Sequence, residues 1–476
     1  MSYFKADGIK IRQQDSTNQK RCIFVRNFEN ITIMIIQVSI DNILSFNSET
    51  TISFVASKSD LLPFHVVRAK KRDDISILKT GLIYGANGSG KSNIIKCIES
   101  LREFVVFGKP QKMLEPFKLA AEPRGISKIE AEFKVGDKYY AYGVAYGKKY
   151  ITEEWLYQIG SREGKPIFER TVTEQGNTIQ LSPALVKHGT KEFEFVSFLA
   201  VGTPKDKTFL HEYVIRNGKG IDAIQSVYDW FMHMQIIFPN SRNRDIAVRV
   251  LTNQEFKNAT KALLNLFGTG VADLKRVAVK PEEIGLLDEF RQDMEQKLIK
   301  QGKGGLVVFD GVRFYYVELQ SDQNIAWKEL RMVHKADDGS ERIFNITEES
   351  DGTIRLLDFI PMLIDMRTND AVYLIDEVDR SMHPMMTVKL IELYNKIIED
   401  RKDCNLQLIC TTHESTLLSE AQIRNDEVWF VEKDEHGASH MTSLVEYKPR
   451  QDVRRGYLMG RYGAIPFFGN LGNINW

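Results

Sequence analysis

The sequence lacks the features that mark secreted or membrane-embedded proteins. It has four cysteines in 476 residues and no CxxC pair, so neither a disulfide framework nor a cysteine-rich zinc site is indicated. Residues 31–40 form the longest apolar stretch near the N-terminus, and they are too few and too polar to span a bilayer. The polar leader before them carries no cleavage-site pattern. We therefore expect a cytoplasmic protein with no membrane partner.

Two further absences limit the class of protein to which this sequence can belong. Lys plus Arg equals Asp plus Glu at 64 each, which excludes a globally basic nucleic-acid binder and leaves only local basic patches open. Residues 183–302 have a helical pattern without a sustained heptad, so a long coiled-coil arm is not expected. What the chain does have is a 43% hydrophobic content, which at this length favours a large core divided between two lobes.

Strand and helix patterns alternate in a way that predicts an α/β fold with a mixed sheet flanked by helices. The predicted strands are 35–56, 81–84, 126–160, 166–182, 305–320, 328–346, 372–375, 406–410 and 427–432. The predicted helices are 92–107, 352–366 and 385–399, together with the helical region 183–302. The last alternation, from 352 to 432, favours a parallel sheet with helices on its faces.

A glycine-rich segment follows the short strand at 81–84. Gly85-Ala-Asn-Gly-Ser-Gly-Lys-Ser92 matches G-x-x-x-x-G-K-[ST] in full and opens a helix, which is the context of a P-loop. Glycines let the backbone turn its N–H groups toward phosphates, and the helix N-terminus adds partial positive charge. We expect ATP and Mg²⁺ here, with Lys91 on the β- and γ-phosphates and Ser92 on the metal. The predicted nucleotide-binding residues are Gly85, Asn87, Gly88, Ser89, Gly90, Lys91 and Ser92.

An acidic strand end supplies the second half of such a site. Ala371-Val-Tyr-Leu-Ile-Asp-Glu377 is an apolar run that ends in adjacent carboxylates. We expect Asp376 to hold the Mg²⁺ shell and Glu377 to take a proton from the attacking water.

Two weaker segments complete the pattern. Ser350 and Gly352, in Glu349-Ser-Asp-Gly-Thr353, occupy the serine and second glycine of an LSGGQ-like signature that binds a γ-phosphate; an ordinary N-cap is the alternative. His413 ends the strand Leu408-Ile-Cys-Thr-Thr-His413, where it can hydrogen-bond the γ-phosphate or serve a structural role. A Q-loop glutamine is not identifiable.

The order of these four segments resembles the ABC-type ATPase superfamily. The resemblance implies a head-to-tail dimer that sandwiches two nucleotides, with the signature of one subunit completing the ATP site of the other. Asp379, Ser381 and His383 look like the D-loop that crosses this interface. The expected domains are an N-terminal extension at 1–33, an ABC-type head at 34–125 and 303–476, and an inserted lobe of strands and helices at 126–302.

A narrower resemblance is to stand-alone bacterial ATPases of phage defence and abortive infection, of the RloA, PARIS and Septu types, related at their motifs to SMC-like ATPases. It covers roughly residues 34–476 and rests on the strand pair before the P-loop, Glu348–Arg355, Ile375–Pro384, the TTHES of 411–415 and Gly460-Arg-Tyr-Gly-Ala-Ile-Pro466. It implies a slow, regulatory ATPase that forms a homo-oligomer, with the dimer as unit and a hexamer as a higher assembly. A phage-encoded trigger and a separate, TOPRIM-like effector nuclease are the implied partners, since the segment after His413 is too short for a nuclease domain of about a hundred residues.

Two other functions remain open at this point. A DNA-repair or DNA-end-binding ATPase of the SMC-like type would show DNA-stimulated hydrolysis with strong salt dependence, and nucleic acid would then be a partner. A scaffold that binds ATP but hardly hydrolyses it would behave the same after Glu377→Gln.

Overall fold

The computed structural model has 476 residues, of which the following are described: 4–5, 33–69, 75–160, 164–182, 189–216, 218, 220–241, 245–280, 283–301, 305–309, 313–320, 324–419, 422–449 and 452–465. Most of the predicted extension at 1–33, and Pro466 of the C-terminal motif, lie outside the described residues. Among the described residues, no helix is both long enough and apolar enough to cross a bilayer.

The strands are, in chain order, β1 Phe4–Lys5, β2 Ile33–Asp41, β3 Thr50–Ser53, β4 Val66–Val67, β5 Ile77–Leu78, β6 Thr80–Gly85, β7 Ser127–Val135, β8 Lys138–Tyr146, β9 Ile151–Ile159, β10 Gly164–Thr173, β11 Gly176–Leu181, β12 Gln235–Ile237, β13 Val271–Ala278, β14 Gly305–Phe309, β15 Phe314–Leu319, β16 Ile325–Lys335, β17 Glu341–Phe344, β18 Val372–Ile375, β19 Gln407–Thr412, β20 Val428–Lys433 and β21 Ser439–Ser443. The α-helices are α1 Lys91–Phe107, α2 Lys191–Gly202, α3 Phe209–Ile215, α4 Asp222–His233, α5 Asp245–Thr252, α6 Gln254–Leu266, α7 Asp288–Gln301, α8 Asp351–Asp365, α9 Pro384–Asp400 and α10 Val453–Leu458.

The chain divides into two compact units. The signature unit comprises Met1–Phe28, Asn240–Thr368 and Arg380–Lys389. The P-loop unit comprises Glu29–Pro239, Asn369–Asp379 and Leu390–Trp476. The division into extension, head and inserted lobe that the sequence suggested stays a prediction of domain organisation.

A largely parallel sheet forms the centre of the P-loop unit. Its strand order is β12-β18-β19-β6-β20-β21, and only the last pair is antiparallel. Every residue of β6, β18 and β19 is buried, as expected for parallel strands covered on both faces. Because parallel strands end at one edge, the residues after β6, β18 and β19 meet there.

A seven-stranded antiparallel sheet forms the second layer of the same unit. Its order is β11-β10-β9-β8-β7-β2-β3. The strands β7–β11, which the sequence assigned to the inserted lobe, thus continue the sheet begun by β2 and β3, because β2 pairs with β7 along its whole length. Helices α1 and α4 pack on β7, where Phe133 stacks on Trp230 with ring centroids 4.2 Å apart.

The signature unit is built on a second antiparallel sheet. Its order is β1-β14-β15-β16-β13, with β17 paired to β16. Helix α7 covers one part of the sheet, and Met294, Leu298, Tyr315 and Trp327 are core residues there. Helices α5 and α6 pack against α8, so the helix that follows the predicted signature is held by a helical layer.

The element predictions are largely confirmed, with one region wrong. The pattern over 183–302 predicts helices, whereas the strands β12 and β13 lie within this region. Strand β12 is three residues long and exists through its pairing with β18, where the Ile237 carbonyl accepts the Asp376 N–H at 2.9 Å. A strand this short has no local period to detect.

Candidate functional site

The glycines of the P-loop take backbone conformations that side chains disfavour. Gly88 and Gly90 have φ of 76° and 115°. A Cβ on Gly90 would lie 2.4 Å from the Ser439 Oγ and 2.7 Å from the Ser45 Oγ, while one on Gly88 would meet nothing within 4 Å. Gly90 is therefore required by packing, and Gly88 borders open space where phosphate oxygens can approach the backbone.

Lys91, the first residue of α1, is buried against this loop. Its Nζ donates to the carbonyls of Gly85 at 2.7 Å and Ala86 at 3.1 Å. Burial lowers the pKa of Lys91 to about 8, and the carboxylates of Asp379, Glu377 and Asp376 oppose that shift. The ammonium is thus placed at the loop and within electrostatic range of the acidic strand end.

Thr411 joins the Asp376 carboxylate to the backbone of Glu377 at the acidic strand end. Its hydroxyl donates to the Asp376 Oδ1 at 2.6 Å and accepts the Glu377 N–H at 2.7 Å. Glu377 has a left-handed backbone with φ of 51°, which a non-glycine residue adopts only when its surroundings impose it. The pairing of β18 with β19 brings Asp376 beside Thr411, since Ile375 is aligned with Cys410.

Thr411→Val is expected to lower the ATPase rate about tenfold, because it removes the hydroxyl that holds the Asp376 carboxylate and the backbone N–H of Glu377. ATP affinity should change less than the rate, since the hydrogen bonds of the Thr411 hydroxyl go to Asp376 and Glu377 while the Lys91 Nζ bonds the carbonyls of Gly85 and Ala86. Steady-state kinetics would show the fall mainly in kcat. Thr80→Val is the matched control, because Thr80 is also buried but lies at the start of β6, at the end away from the P-loop. An equal fall in kcat in both variants would contradict this prediction and show that Thr411 contributes only to packing.

His413 lies at the end of β19 beside the same acidic group. Its backbone N–H donates to the Asp379 Oδ2 at 3.2 Å. Burial and the Lys91 charge lower the pKa of His413, while Asp379, Glu377 and Asp376 raise it. The Asp379 Oδ1 is buried without a hydrogen-bond partner among the described residues. The sequence-predicted residues Lys91, Asp376, Glu377 and His413 are therefore mutually close, and Asp379 joins them.

The predicted signature lies in the other unit, at the start of α8. Ser350 is the N-cap of α8, and its Oγ accepts the Thr353 N–H at 3.1 Å. A Cβ on Gly352 would lie 2.9 Å from the backbone oxygen of Ser381, which has φ of 61°. The N-cap alternative is thus observed for Ser350, and its γ-phosphate role stays a proposal. Within this unit the predicted D-loop serine and the signature glycine are in contact.

Sequence reasoning missed three residues that shape the site. Ser45 and Ser439 flank the P-loop: the Asn93 Nδ2 donates to the Ser45 Oγ at 2.8 Å, and the Ser439 Oγ donates to the Ser89 carbonyl at 2.5 Å. Thr411 was seen only as part of the strand before His413. Single hydroxyls in a β-turn or strand carry no local signal, and only the TTH order around Thr411 could have indicated it.

The residues fit a nucleotide with a bound Mg²⁺. The open space at Gly88 leaves room for phosphate oxygens, and the buried Ser89 Oγ has no partner among the described residues. Ser92 and Asp376 supply hard oxygen ligands, the kind Mg²⁺ prefers, and Mg²⁺ usually completes its shell with substrate phosphates and water. No group of three or more His, Cys, Asp or Glu side chains able to hold a metal occurs in the described part of the chain.

The parallel sheet, the P-loop and the acidic strand end together define a P-loop ATPase fold. The chain belongs to the family described as "AAA domain, putative AbiEii toxin, Type IV TA system", whose model matches residues 82–419.

Solved structures similar to this chain include the SMC head domain from Thermotoga maritima, at 14% identity and a TM-score of 0.37, covering 86% of this chain and 98% of that chain. Another is an SmcHead bound to the C-winged helix domain of ScpA, at 14% identity and a TM-score of 0.42, covering 87% and 99%. Comparison with curated proteins gives no match.

Proposed function

We propose that this protein is an ABC-type ATPase that binds and slowly hydrolyses ATP between two protomers and so regulates a separate toxin nuclease in anti-phage defence. One observation carries the enzymatic part. The Lys91 Nζ donates to the P-loop carbonyl of Gly85 at 2.7 Å, and the nearby carboxylates of Asp376, Glu377 and Asp379 act on its pKa. Thr411 bonds both Asp376 and the Glu377 N–H, and Asp379 accepts the His413 N–H at 3.2 Å. A cation for phosphates, a carboxylate for a metal and a second carboxylate for water activation therefore share one site.

Each of these side chains has a role that its position supports. Lys91 and the loop N–H groups bind the β- and γ-phosphates, and Ser92 with Asp376 would hold Mg²⁺. When bound, Mg²⁺ neutralises charge that builds up on the phosphate oxygens. Glu377 accepts the proton of the attacking water as general base. Asp379 fixes the backbone at His413, whose ring then donates to the γ-phosphate.

The proposed dimer accounts for the remaining motif, the predicted signature. Ser350 and Gly352 belong to the signature unit, whereas the P-loop belongs to the other compact unit and lies far from them in the sequence. The N-terminus of α8 offers N–H groups and partial positive charge to an anion. We propose that this helix tip binds the γ-phosphate held by a neighbouring protomer, with Asp379, Ser381 and His383 along the same interface, and that dimers build a hexamer.

The regulatory role is supported by the family description, which names a toxin of a toxin–antitoxin system. Slow hydrolysis would let the protein remain in one assembly state until a phage-encoded trigger changes that state. In this proposal ATP turnover sets the assembly state, and the assembly state sets whether the nuclease is restrained or released.

Phage challenge of bacteria tests this role. Strains would carry the ATPase, a TOPRIM-type nuclease encoded beside its gene, or both. We expect reduced plaque formation only with both, and loss of protection on Lys91→Ala. Lys96→Ala, an exposed lysine on the same helix α1, is the matched control. Protection by the ATPase alone, or ATPase activity that depends on DNA ends and falls steeply with salt, would contradict the proposal in favour of a DNA-end enzyme.

A further inference from the structure

The tip of the signature helix α8 is surrounded by acidic side chains. Glu348 and Glu349 precede Ser350, and Asp351 follows it as the first residue of α8. A helix N-terminus attracts anions through its partial positive charge and its unpaired N–H groups, so a neighbouring carboxylate competes there with a phosphate. Asp351 is exposed, where solvent and salt screen its charge. The two glutamates are therefore the carboxylates whose positions decide how open the tip is to a phosphate.

Each of the two glutamates is bonded to a donor of its own. The Glu348 Oε2 accepts the backbone N–H of Asn345 at 2.6 Å, so this side chain folds back over its own turn. The Glu349 Oε1 lies 2.7 Å from the His334 Nε2, and because an ionised carboxylate only accepts, the ring nitrogen donates. The Glu349 side chain is 5% exposed, which leaves little access for water to replace this donor. His334 therefore decides where the Glu349 carboxylate lies.

The sheet of the signature unit fixes the position of His334. This residue belongs to β16, where it is aligned with Val271 of β13 on one side and with Arg342 of β17 on the other. Its ring meets the Phe344 ring edge-on, with ring centroids 4.7 Å apart. The turn Ile346–Glu348, which leads to the signature serine, packs on the same strand. The histidine is thus a donor placed by the sheet, and the loop before the signature serine is fastened to it.

Without this donor, the Glu349 carboxylate would not stay in its present position. A buried carboxylate that lacks a hydrogen bond is costly, so the side chain would turn away from β16. The first N–H groups of α8 begin two residues further along the chain, and such groups have no partner within their own helix. A carboxylate bonded there would place a negative charge where the γ-phosphate of a neighbouring protomer is proposed to bind. Because like charges at one site oppose each other, the tip would then disfavour the nucleotide.

We infer that His334 is a positioning residue of the ATP site: it holds the Glu349 carboxylate so that the tip of α8 stays open to the γ-phosphate of the neighbouring protomer. The inference rests on the proposed ATPase function. His334 and Glu349 both belong to the signature unit, and His334 touches no reacting atom. It acts on the site only through the carboxylate that it holds, so its effect depends on the charge at position 349.

Steady-state ATPase assays on the full-length chain test this role. His334→Ala should lower turnover about tenfold, the size of coupling expected between groups in one hydrogen-bond network. Half-maximal activity should require a higher protein concentration, because the contact between protomers is what weakens. ATP binding by the P-loop, measured by calorimetry, should stay at the wild-type level, since the P-loop belongs to the other compact unit. His334→Gln keeps a side-chain N–H donor and should retain most of the activity.

The same histidine change in a Glu349→Gln background separates positioning from packing. Glu349→Gln removes the charge that His334 is inferred to hold away from the tip. Adding His334→Ala to it should therefore change turnover by less than about twofold, against the tenfold fall in the wild-type background. A ring that served packing alone would be missed equally in both backgrounds. An equal fall in both, or a single His334→Ala variant within about twofold of wild type, would overturn the inference.

His440→Ala is the matched control, because His440 also bonds a carboxylate, Asp434 at 2.9 Å, but on an exposed hairpin of the P-loop unit. It should leave turnover and its dependence on protein concentration unchanged. Melting temperatures show whether each variant folds, and if His334→Ala does not, His334→Leu keeps more of the packing and is measured in the same two backgrounds. An inactive wild-type protein would refute the ATPase proposal itself. An active wild type whose response to the histidine change ignores Glu349 would refute the role of His334 alone.

Discussion

Glu377→Gln is expected to slow ATP hydrolysis by roughly a hundredfold or more, because a positioned general base contributes at least that much. ATP binding should persist, since the amide keeps the shape of the side chain and Lys91 is untouched. Gln also tolerates the left-handed backbone at φ 51° no worse than Glu, so the strand end should keep its geometry. Single-turnover hydrolysis would show the loss, and native mass spectrometry with ATP and Mg²⁺ should show an accumulated dimer.

Glu435→Gln provides the comparison for that variant. It neutralises an exposed carboxylate on the turn between β20 and β21, on the same sheet, and should retain wild-type turnover. If Glu377→Gln hydrolyses ATP within about twofold of wild type, then Glu377 is not the general base. The protein would then resemble the non-hydrolysing scaffold that the sequence left open.

Lys91→Ala and Ser350→Asp should each strongly reduce turnover, from opposite sides of the proposed interface. Lys91→Ala removes a charge-assisted contact to the phosphates and should weaken ATP binding by roughly a hundredfold. Ser350→Asp retains an N-cap, because Asp caps helices as well as Ser does. It also places a carboxylate where the γ-phosphate of the neighbour would bind, and like charges at an interface cost several kcal/mol. Turnover should fall by roughly a hundredfold while the P-loop still binds ATP.

Ser350→Asn separates the charge effect from the cap. Asn also caps α8, and it brings no charge, so it should retain far more activity than Ser350→Asp. Steady-state ATPase rates together with melting temperatures make the comparison. Equal loss in the Asp and Asn variants would show that size at position 350, rather than charge, decides the outcome.

The parts of the fold that the sequence predicted are those with local patterns. Thr80–Gly85 is an apolar strand followed by glycines and Lys91, and each of these features has one dominant structural meaning. The strand Val372–Ile375 and the helix that begins at Asp351 were predicted to within a residue of their observed bounds. Buried strands and capped helices can be predicted from local sequence, because burial and capping directly constrain the residue types.

What the sequence did not predict depends on contacts between distant segments. The contact of Ser439 with the loop at Ser89 spans 350 residues, and no pattern near either residue indicates it. Thr411 bridges Asp376 and the Glu377 N–H only because two parallel strands have a particular register. Strand β12 likewise follows from pairing with β18 alone.

The central claim, that each ATP site is built from two protomers, is tested most directly by mixing the two inactive variants. Lys91→Ala has an intact signature, and Ser350→Asp has an intact P-loop. In a mixed dimer one site combines both defects and the other combines both intact halves, so an equal mixture should recover about a quarter of wild-type ATPase activity. Recovery should require both proteins and rise with their concentration. A mixture no more active than its components, at concentrations where wild type is fully active, would contradict the shared site.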